Sequence, residues 1–215
     1  MPVKRDLFIV GAGGLGREAL AWTNEIPVEM RDWEMKGFLN SIPSAFDGYA
    51  VDFPILCDPL DFNYTGDESL ICAIGDPQGK LKLCRTLVQR GACFMSLIHP
   101  CAIVSPSARV ASGCIIATAV IISPGATIGS FAVILGSTAI GADVIVGEGV
   151  TISGFCFVGE RAIIGEGAFL GSHAIVMPGS IVGKGARIGA RTVVSGKVPA
   201  GATFFGVPGQ MIAGF

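Results

Sequence analysis

Histidine is almost missing from this chain: His99 and His173 are the only two among 215 residues. A metal centre or relay built from several imidazoles is thereby excluded, and no other metal-ligand spacing occurs. There is no excess of positive charge either, with 15 Lys and Arg against 17 Asp and Glu and a formal net charge of -2. Nucleic acid is therefore not expected as a partner. Seven cysteines, at 57, 72, 84, 93, 101, 114 and 156, form no CxxC pair. Their odd number, without a secretory signal before them, fits reduced, buried thiols in a cytoplasmic protein and not a disulfide framework. No apolar run approaches the roughly 18 residues of a membrane span, so membrane insertion is not expected. What is abundant is aliphatic residues and glycine: 51% of the chain is hydrophobic and 31 residues are Gly. That apolar content must be buried in a core or a subunit interface.

From Ile98 an aliphatic residue recurs every sixth position, through Val104, Val110, Ile116, Ile122, Ile128, Ile134, Ile140, Val146, Ile152, Val158, Ile164, Leu170, Val176, Val182 and Ile188 to Val194. Two residues before most of them stands a smaller side chain, such as Ala126, Ala132, Thr138, Cys156 or Ala162. One residue after, glycine stands at 129, 141, 147, 159, 165, 171, 183 and 189, where the backbone is expected to bend. Residues two apart in a strand share a face, so each hexapeptide turns one large and one small side chain inward. Three such units close a triangular coil of 18 residues, and stacked coils hide an aliphatic core that no single coil could bury. The expected shape is a parallel β-helix. Its flat outer walls, with Phe131 and Phe155 pointing outward, suit packing against copies of itself in a closed ring.

The N-terminal third reads differently. In "RDLFIVGAGGLGREALAWTNE" an apolar strand runs into Gly11-x-Gly13-x-x-Gly16 and then into a helical pattern. Such a turn allows close approach of an anionic oxygen to the free N–H groups of the helix, so a phosphate-bearing ligand is expected; the alternative is that the glycines only permit close packing. A dinucleotide site would also want an acidic residue after the second strand, where the chain instead has Asn40 and Ser41. A further strand, "SLICAIG", leads to Asp76 as helix N-cap and Pro77 at the first helical position. Leu81, Cys84, Leu87 and Val88 mark one face of that helix.

Candidate chemistry is sparse. His99 sits at the junction of the two regions and His173 at a corner of the prism, four coils away, so the two cannot pair within one subunit. Asp143 and Glu148 also fall on corners, where they are either solvated or able to orient a partner. Cys114 and Cys156 occupy the small inward position and are unsuited as nucleophiles. "GKVPAGATFFGVPGQ" leaves the sixfold register and reads as a cap or a loop folded back on the wall.

The stretches "FIVGAGGLGREAL", "KGFLN", "AIGDP", "LIHPCAIVSPSARV", the hexapeptide region and "VPAGATFFGVPG" together cover about 95% of the chain. In them the sequence resembles the bacterial sugar acyltransferases of the left-handed β-helix class. The nearer resemblance is to the sialic acid O-acetyltransferase group, which also contains N-acetyltransferases of nucleotide-linked amino-sugars. It implies a Rossmann-like α/β domain with a small parallel sheet over 1–95, followed by an all-β left-handed parallel β-helix over 96–215. It also implies a homotrimer, a nucleotide-linked amino-sugar as substrate, acetyl-CoA as co-substrate in a groove between prisms, and no metal. Substrate binding maps onto Gly11, Gly13, Gly14, Gly16, Asn40, Gly75 and Asp76. The group's general base, a histidine followed by an acid, maps onto Ala142 and Asp143: the aspartate is kept and the histidine is alanine. Glu148 is the retained acidic partner. With the base position empty, proton removal falls to Asp143, or to His173 reaching in from a neighbouring subunit. The implied activity is acetyl transfer to the amine of the sugar. The alternatives are sugar O-acetylation, a binding or scaffold protein that kept the shape without the chemistry, and a different enzyme on the same two domains.

Overall fold

The computed structural model describes residues 4–206 and the backbone of 210–212. A four-stranded parallel sheet opens the chain, with β1 (Arg5–Val10), β2 (Trp33–Leu39), β3 (Ile55–Cys57) and β4 (Ser69–Cys72) in the order β3-β2-β1-β4. The last four residues of β1, Leu7 to Val10, and all four of β4 are buried. Helix α1 (Gly14–Glu25) follows β1, and α2 (Pro77–Gln89) follows β4. Because the chain goes from β1 to β2 and β3 on one side and returns to β4 on the other, the sheet has a switch point at the carboxyl end of β1. That is where open α/β sheets form a ligand crevice.

From Leu97 the chain winds into a triangular prism. Sheet I contains the two-residue strands Leu97–Ile98, Ile115–Ile116, Val133–Ile134, Thr151–Ile152, Phe169–Leu170 and Arg187–Ile188, continued by Thr203–Phe205. Sheet II runs from Ile103–Val104 to Val193–Val194 and sheet III from Arg109–Val110 to Lys197–Val198, six strands each. Paired residues lie 18 apart, as in Val133 with Thr151 and Thr151 with Phe169. The expected register holds: Ile116 to Val194 at every sixth position, and the small residues two before them, are buried. The exceptions are in the first coil, which has no rung beneath it: Ile98 is 39% exposed, and Val104 and Val110 are only partly buried.

The corners correct one expectation. The left-handed backbone is not at the glycine that follows each inward residue but two residues further on, at Ala119, Phe131, Ser137, Asp143, Phe155, Arg161, His173 and Arg191, with φ between 54° and 62°. The glycines serve the neighbouring coil instead. A Cβ on Gly129 would stand 2.7 Å from the backbone nitrogen of Glu148, and one on Gly159 2.5 Å from that of Pro178. Phe131 also departs from expectation: it is buried against Phe94, with ring centroids 5.2 Å apart, and packs on the N-terminal part of its own chain. Phe155 remains 62% exposed.

The register does break after Gly196. Ile181 pairs with Lys197, 16 residues on, and the final strand Gln210–Ile212 turns back antiparallel on Thr203–Phe205. The end of the motif "VPAGATFFGVPG", residues 207–209, lies outside the described residues.

The N-terminal part packs on sheet I. Ile115 and Val133 join the cluster formed by Leu7, Ile9 and Phe38. His99 is consumed in this junction: its Nδ1 accepts the Cys101 N–H at 3.0 Å, so Nε2 carries the proton and donates to Glu25 at 2.9 Å. All seven cysteines are free; Cys93 and Cys101 are exposed, against the expectation that every thiol is buried.

Candidate functional site

The glycine loop forms the floor of the crevice at the switch point. Gly11 has φ of +102°, and a Cβ there would meet the Ala73 carbonyl at 2.9 Å. A Cβ on Gly16 would lie 2.2 Å from the Gly11 oxygen. These two glycines are required by the turn itself. Gly13 and Gly14 are not: nothing stands within 4 Å of a Cβ at either, both are exposed, and Gly13 gives α1 no side-chain cap. The first-turn amides of α1 are thus open to an anionic ligand. Asn40 holds the loop, accepting the Ala12 N–H at 3.3 Å and donating to the Ile42 carbonyl at 3.0 Å. A cleft of about 210 Å³ beside it is lined by Gly11, Asn40, Asp58, Leu60 and Leu83.

Gly75 lies on the loop after β4 with open space at its Cβ position. Asp76 does what local sequence chemistry requires, accepting the Gly79 N–H at 2.7 Å as the N-cap of α2. Its carboxylate also lies 3.7 Å from Arg187.

Asp143 and Glu148, paired in the sequence reading, stand on different corners. Asp143 is on the corner between sheets II and III, exposed, with φ of 55°. Its carboxylate leans over Gly125 one coil below, where a Cβ would clash with Oδ1. Glu148 belongs to the corner between sheets III and I, where Arg85 of α2 reaches it at 2.6 Å and Glu166 at 3.2 Å. Lys184 closes that network at 3.2 Å from Glu166. Glu148 is thus a tie between α2 and the prism. His173 occupies the third corner, between sheets I and II, stacked on Phe155 one coil below with ring centroids 5.0 Å apart. No two of these three residues meet within one chain.

Two residues that sequence reasoning passed over matter here. Lys80, on α2, is fully buried and donates to Thr151 Oγ1 at 2.9 Å and the Val150 carbonyl at 3.3 Å. Burial lowers its pKa to about 8, with the neighbouring Cys72, Cys84 and Cys114 opposing that shift. A hydrogen bond with Cys72, aided by burial, keeps the Cys84 thiol protonated. The second is Glu160, which falls in register 18 residues after Ala142. The Arg161 N–H donates to the Ala142 carbonyl at 2.8 Å, so Glu160 stands on the rung directly above Ala142. Its carboxylate is 2.6 Å from the Arg161 guanidinium.

The comparisons bear on the whole chain. The family model for bacterial transferase hexapeptide (six repeats) matches residues 119–154 and 161–196. No curated protein matches by sequence. Among solved structures, perosamine N-acetyltransferase from Caulobacter crescentus, in complex with CoA and GDP-perosamine, is 26% identical over 97% of each chain, with a TM-score of 0.86 for a variant in which one histidine is replaced by asparagine. The variant with alanine at that histidine superposes with a TM-score of 0.85. The acetyltransferase domain of PglB from Neisseria gonorrhoeae, in complex with acetyl coenzyme A, shares the fold at 24% identity and TM-score 0.79, over 97% of this chain and 100% of that one. WeeI from Acinetobacter baumannii shares it at 20% identity and TM-score 0.80, over 96% and 99%.

An α/β layer carrying a glycine-lined crevice, fused to a prism of hexapeptides, defines a two-part left-handed β-helix protein. Its prism is similar to the hexapeptide-repeat transferases of that class.

Proposed function

We propose that this chain transfers the acetyl group of acetyl-CoA to the amine of a nucleotide-linked amino-sugar. The observation that carries this reading is that its whole architecture, glycine crevice and prism together, superposes over 97% of each chain on an N-acetyltransferase crystallised with CoA and GDP-perosamine. The roles divide between the two parts. Gly13 and Gly14 offer the α1 amides to the phosphates, with Gly11 and Gly16 shaping the turn and Asn40 fixing it. Gly75 borders the same edge of the sheet, and Asp76 acts by starting α2.

The acyl transfer is assigned to the corner of Asp143. The walls on either side of it expose Ile121, Phe157 and Ile175 on sheet II, and Ile145 and Ile163 on sheet III. Copies packed on these walls as a trimer would bury them and enclose Asp143 in a dry seam, where acetyl-CoA would lie. In that seam the Asp143 carboxylate holds the sugar's amino group beside the thioester. No metal is assigned to this chemistry. Among the described residues no helix is long and apolar enough to cross a membrane. The seven free thiols support a cytoplasmic setting for the reaction.

The test is turnover of purified protein with acetyl-CoA and GDP-, UDP- and TDP-linked amino-sugars, following the gain of one acetyl group by mass, because exposed Cys93 and Cys101 interfere with thiol reagents. Acetylated product on an amine supports the reading, and product only on hydroxyl acceptors shifts it to O-acetylation. Ala142, in the place where the resemblance puts the base, favours a second reading: a sugar-nucleotide-binding scaffold. Thermal stabilisation by both ligands without product would select that one.

A further inference from the structure

Resting on the acetyltransferase reading, we propose that Glu160 is the proton acceptor of the reaction, taking over from one coil higher the task that Ala142 cannot perform. In a β-helix, residues 18 apart stand on the same corner and project in parallel, one rung of roughly 4.8 Å above the other. Ala142 and Glu160 are such a pair, tied by the bond from the Arg161 N–H to the Ala142 carbonyl at 2.8 Å. Ala142 offers only a methyl group on its rung, and Glu160, with a longer side chain, is the residue on the rung directly above. Asp143 is directed the other way, down over Gly125. The two carboxylates therefore flank the position from opposite sides, and they suit different tasks: Asp143 holds the amine, and Glu160 accepts its proton.

Pro178 and Gly179 occupy the next rung up, so no charged side chain faces Glu160 from above. Below are Ala142 and Asp143, and beside it is Arg161, whose guanidinium lies 2.6 Å from Oε1. Arg161 holds the carboxylate through Oε1, and Oε2 has no partner among the described residues. In the reaction the amine nitrogen attacks the thioester carbonyl carbon. The C–N bond forms, the C–S bond breaks, and the proton lost by nitrogen passes to Glu160 and from there to the departing CoA sulfur. An amide and CoA thiol result, with no other reactant consumed.

The experiment compares wild type, Glu160→Gln, Ala142→His, the double variant and His173→Ala, with acetyl-CoA and whichever amino-sugar nucleotide wild type turns over. The side chains of Glu160 and Arg161 are 50% and 66% exposed, so the variants should melt with wild type. Glu160→Gln should lower kcat about a hundredfold while leaving KM for both substrates within about threefold. Adding Ala142→His to it should restore at least about tenfold and bring an inflection in the pH profile near the imidazole range of about 6.5. A Glu160→Gln enzyme with kcat within about threefold of wild type overturns the proposal. So does a comparable loss in His173→Ala alone, which would give the task to a neighbouring subunit's His173. Wild type that turns over no amino-sugar nucleotide strikes down the acetyltransferase reading itself, and this proposal with it; the two failures are thus distinguishable.

Discussion

Sheets I and II of the prism carry the same kind of outward side chain and meet different fates. On sheet I, Ile115 and Val133 are completely buried and Thr151 nearly so, because the N-terminal sheet and α2 lie on them. On sheet II the outward residues are Ile103, Ile121, Ala139, Phe157, Ile175 and Val193, and Ile103 is 64% exposed, Ile121 44% and Phe157 47%. An isolated chain gains nothing by showing water six apolar residues in a row. The difference therefore separates a wall covered by the chain itself from one that the proposed trimer covers. Charge on each wall tests this most strongly. Val133→Asp would bury an unpaired carboxylate and should cost on the order of 4 kcal/mol or more, abolishing folding. Phe157→Asp should leave the monomer folded but reduce the mass in light scattering from three times 22.1 kDa to that of one chain. A wild type of about 22 kDa in dilute solution would break the comparison outright.

The corners sharpen the same contrast. Glu148, held by Arg85 of its own chain, and Asp143, whose side chain makes no hydrogen bond or ion pair among the described residues, look alike in the sequence as acidic corner residues. Asp143→Asn should reduce acetyl transfer about a hundredfold at unchanged melting temperature. Glu148→Gln should leave the rate within about threefold and cost about 1 kcal/mol or less of stability, as expected for a partly exposed ion pair. Equal effects on rate would return Glu148 to the site.

Why two acidic corner residues of like appearance have such different surroundings follows from what a repeat encodes. The sixfold spacing of Ile116 to Val194 settles which residues point inward, since every coil must fill the same core. It also settles which corner a residue occupies, because position modulo 18 is geometry. It says nothing about what lies outside each corner, since that depends on where a separately encoded α/β layer docks. Hence Phe131, outward by its register, is covered by Phe94, and Val88, on the same helix face as Leu81, Cys84 and Leu87, is 48% exposed. Lys80 was missed for a related reason: in the helical pattern it is a polar residue beside Leu81, and only the docking of α2 on Thr151 makes it interior. Glu160 was within reach, since adding 18 to 142 finds it.

Lys80 provides a test of the covered wall that needs no enzyme activity. Its pKa is lowered from 10.5 to about 8, chiefly by burial, so between those values the unfolded chain binds more protons than the folded one. Stability contributed by this group must therefore rise with pH across that window, by on the order of 3 kcal/mol. Buried thiols such as Cys84, whose pKa is raised, act in the opposite direction above the ordinary thiol range, so the measurement is a difference. Wild type minus Lys80→Met in urea unfolding should become more favourable to wild type from pH 8 to pH 10.5, the interval between the two values. A difference that is flat with pH would mean that the amine reaches water in solution and that α2 is not firmly seated on sheet I.

The smallest effect separates the two helix starts. The N-terminus of α2 is closed by its own chain through Asp76, whereas that of α1 is left open at Gly13. If the open end exists to meet phosphate, closing it should cost binding and not stability. Asp76→Ala should lose about 1 kcal/mol of stability, the usual contribution of an N-cap. Gly13→Asp is sterically free, with φ of -79° and nothing within 4 Å of the added Cβ, and capping should raise stability by a few tenths of a kcal/mol. The same carboxylate occupies the anion position of α1, so the affinity for a nucleoside diphosphate sugar, read by calorimetry, should fall by about tenfold or more. A Gly13→Asp protein that binds sugar nucleotide as well as wild type would show that the glycines serve only the packing of α1 on the sheet.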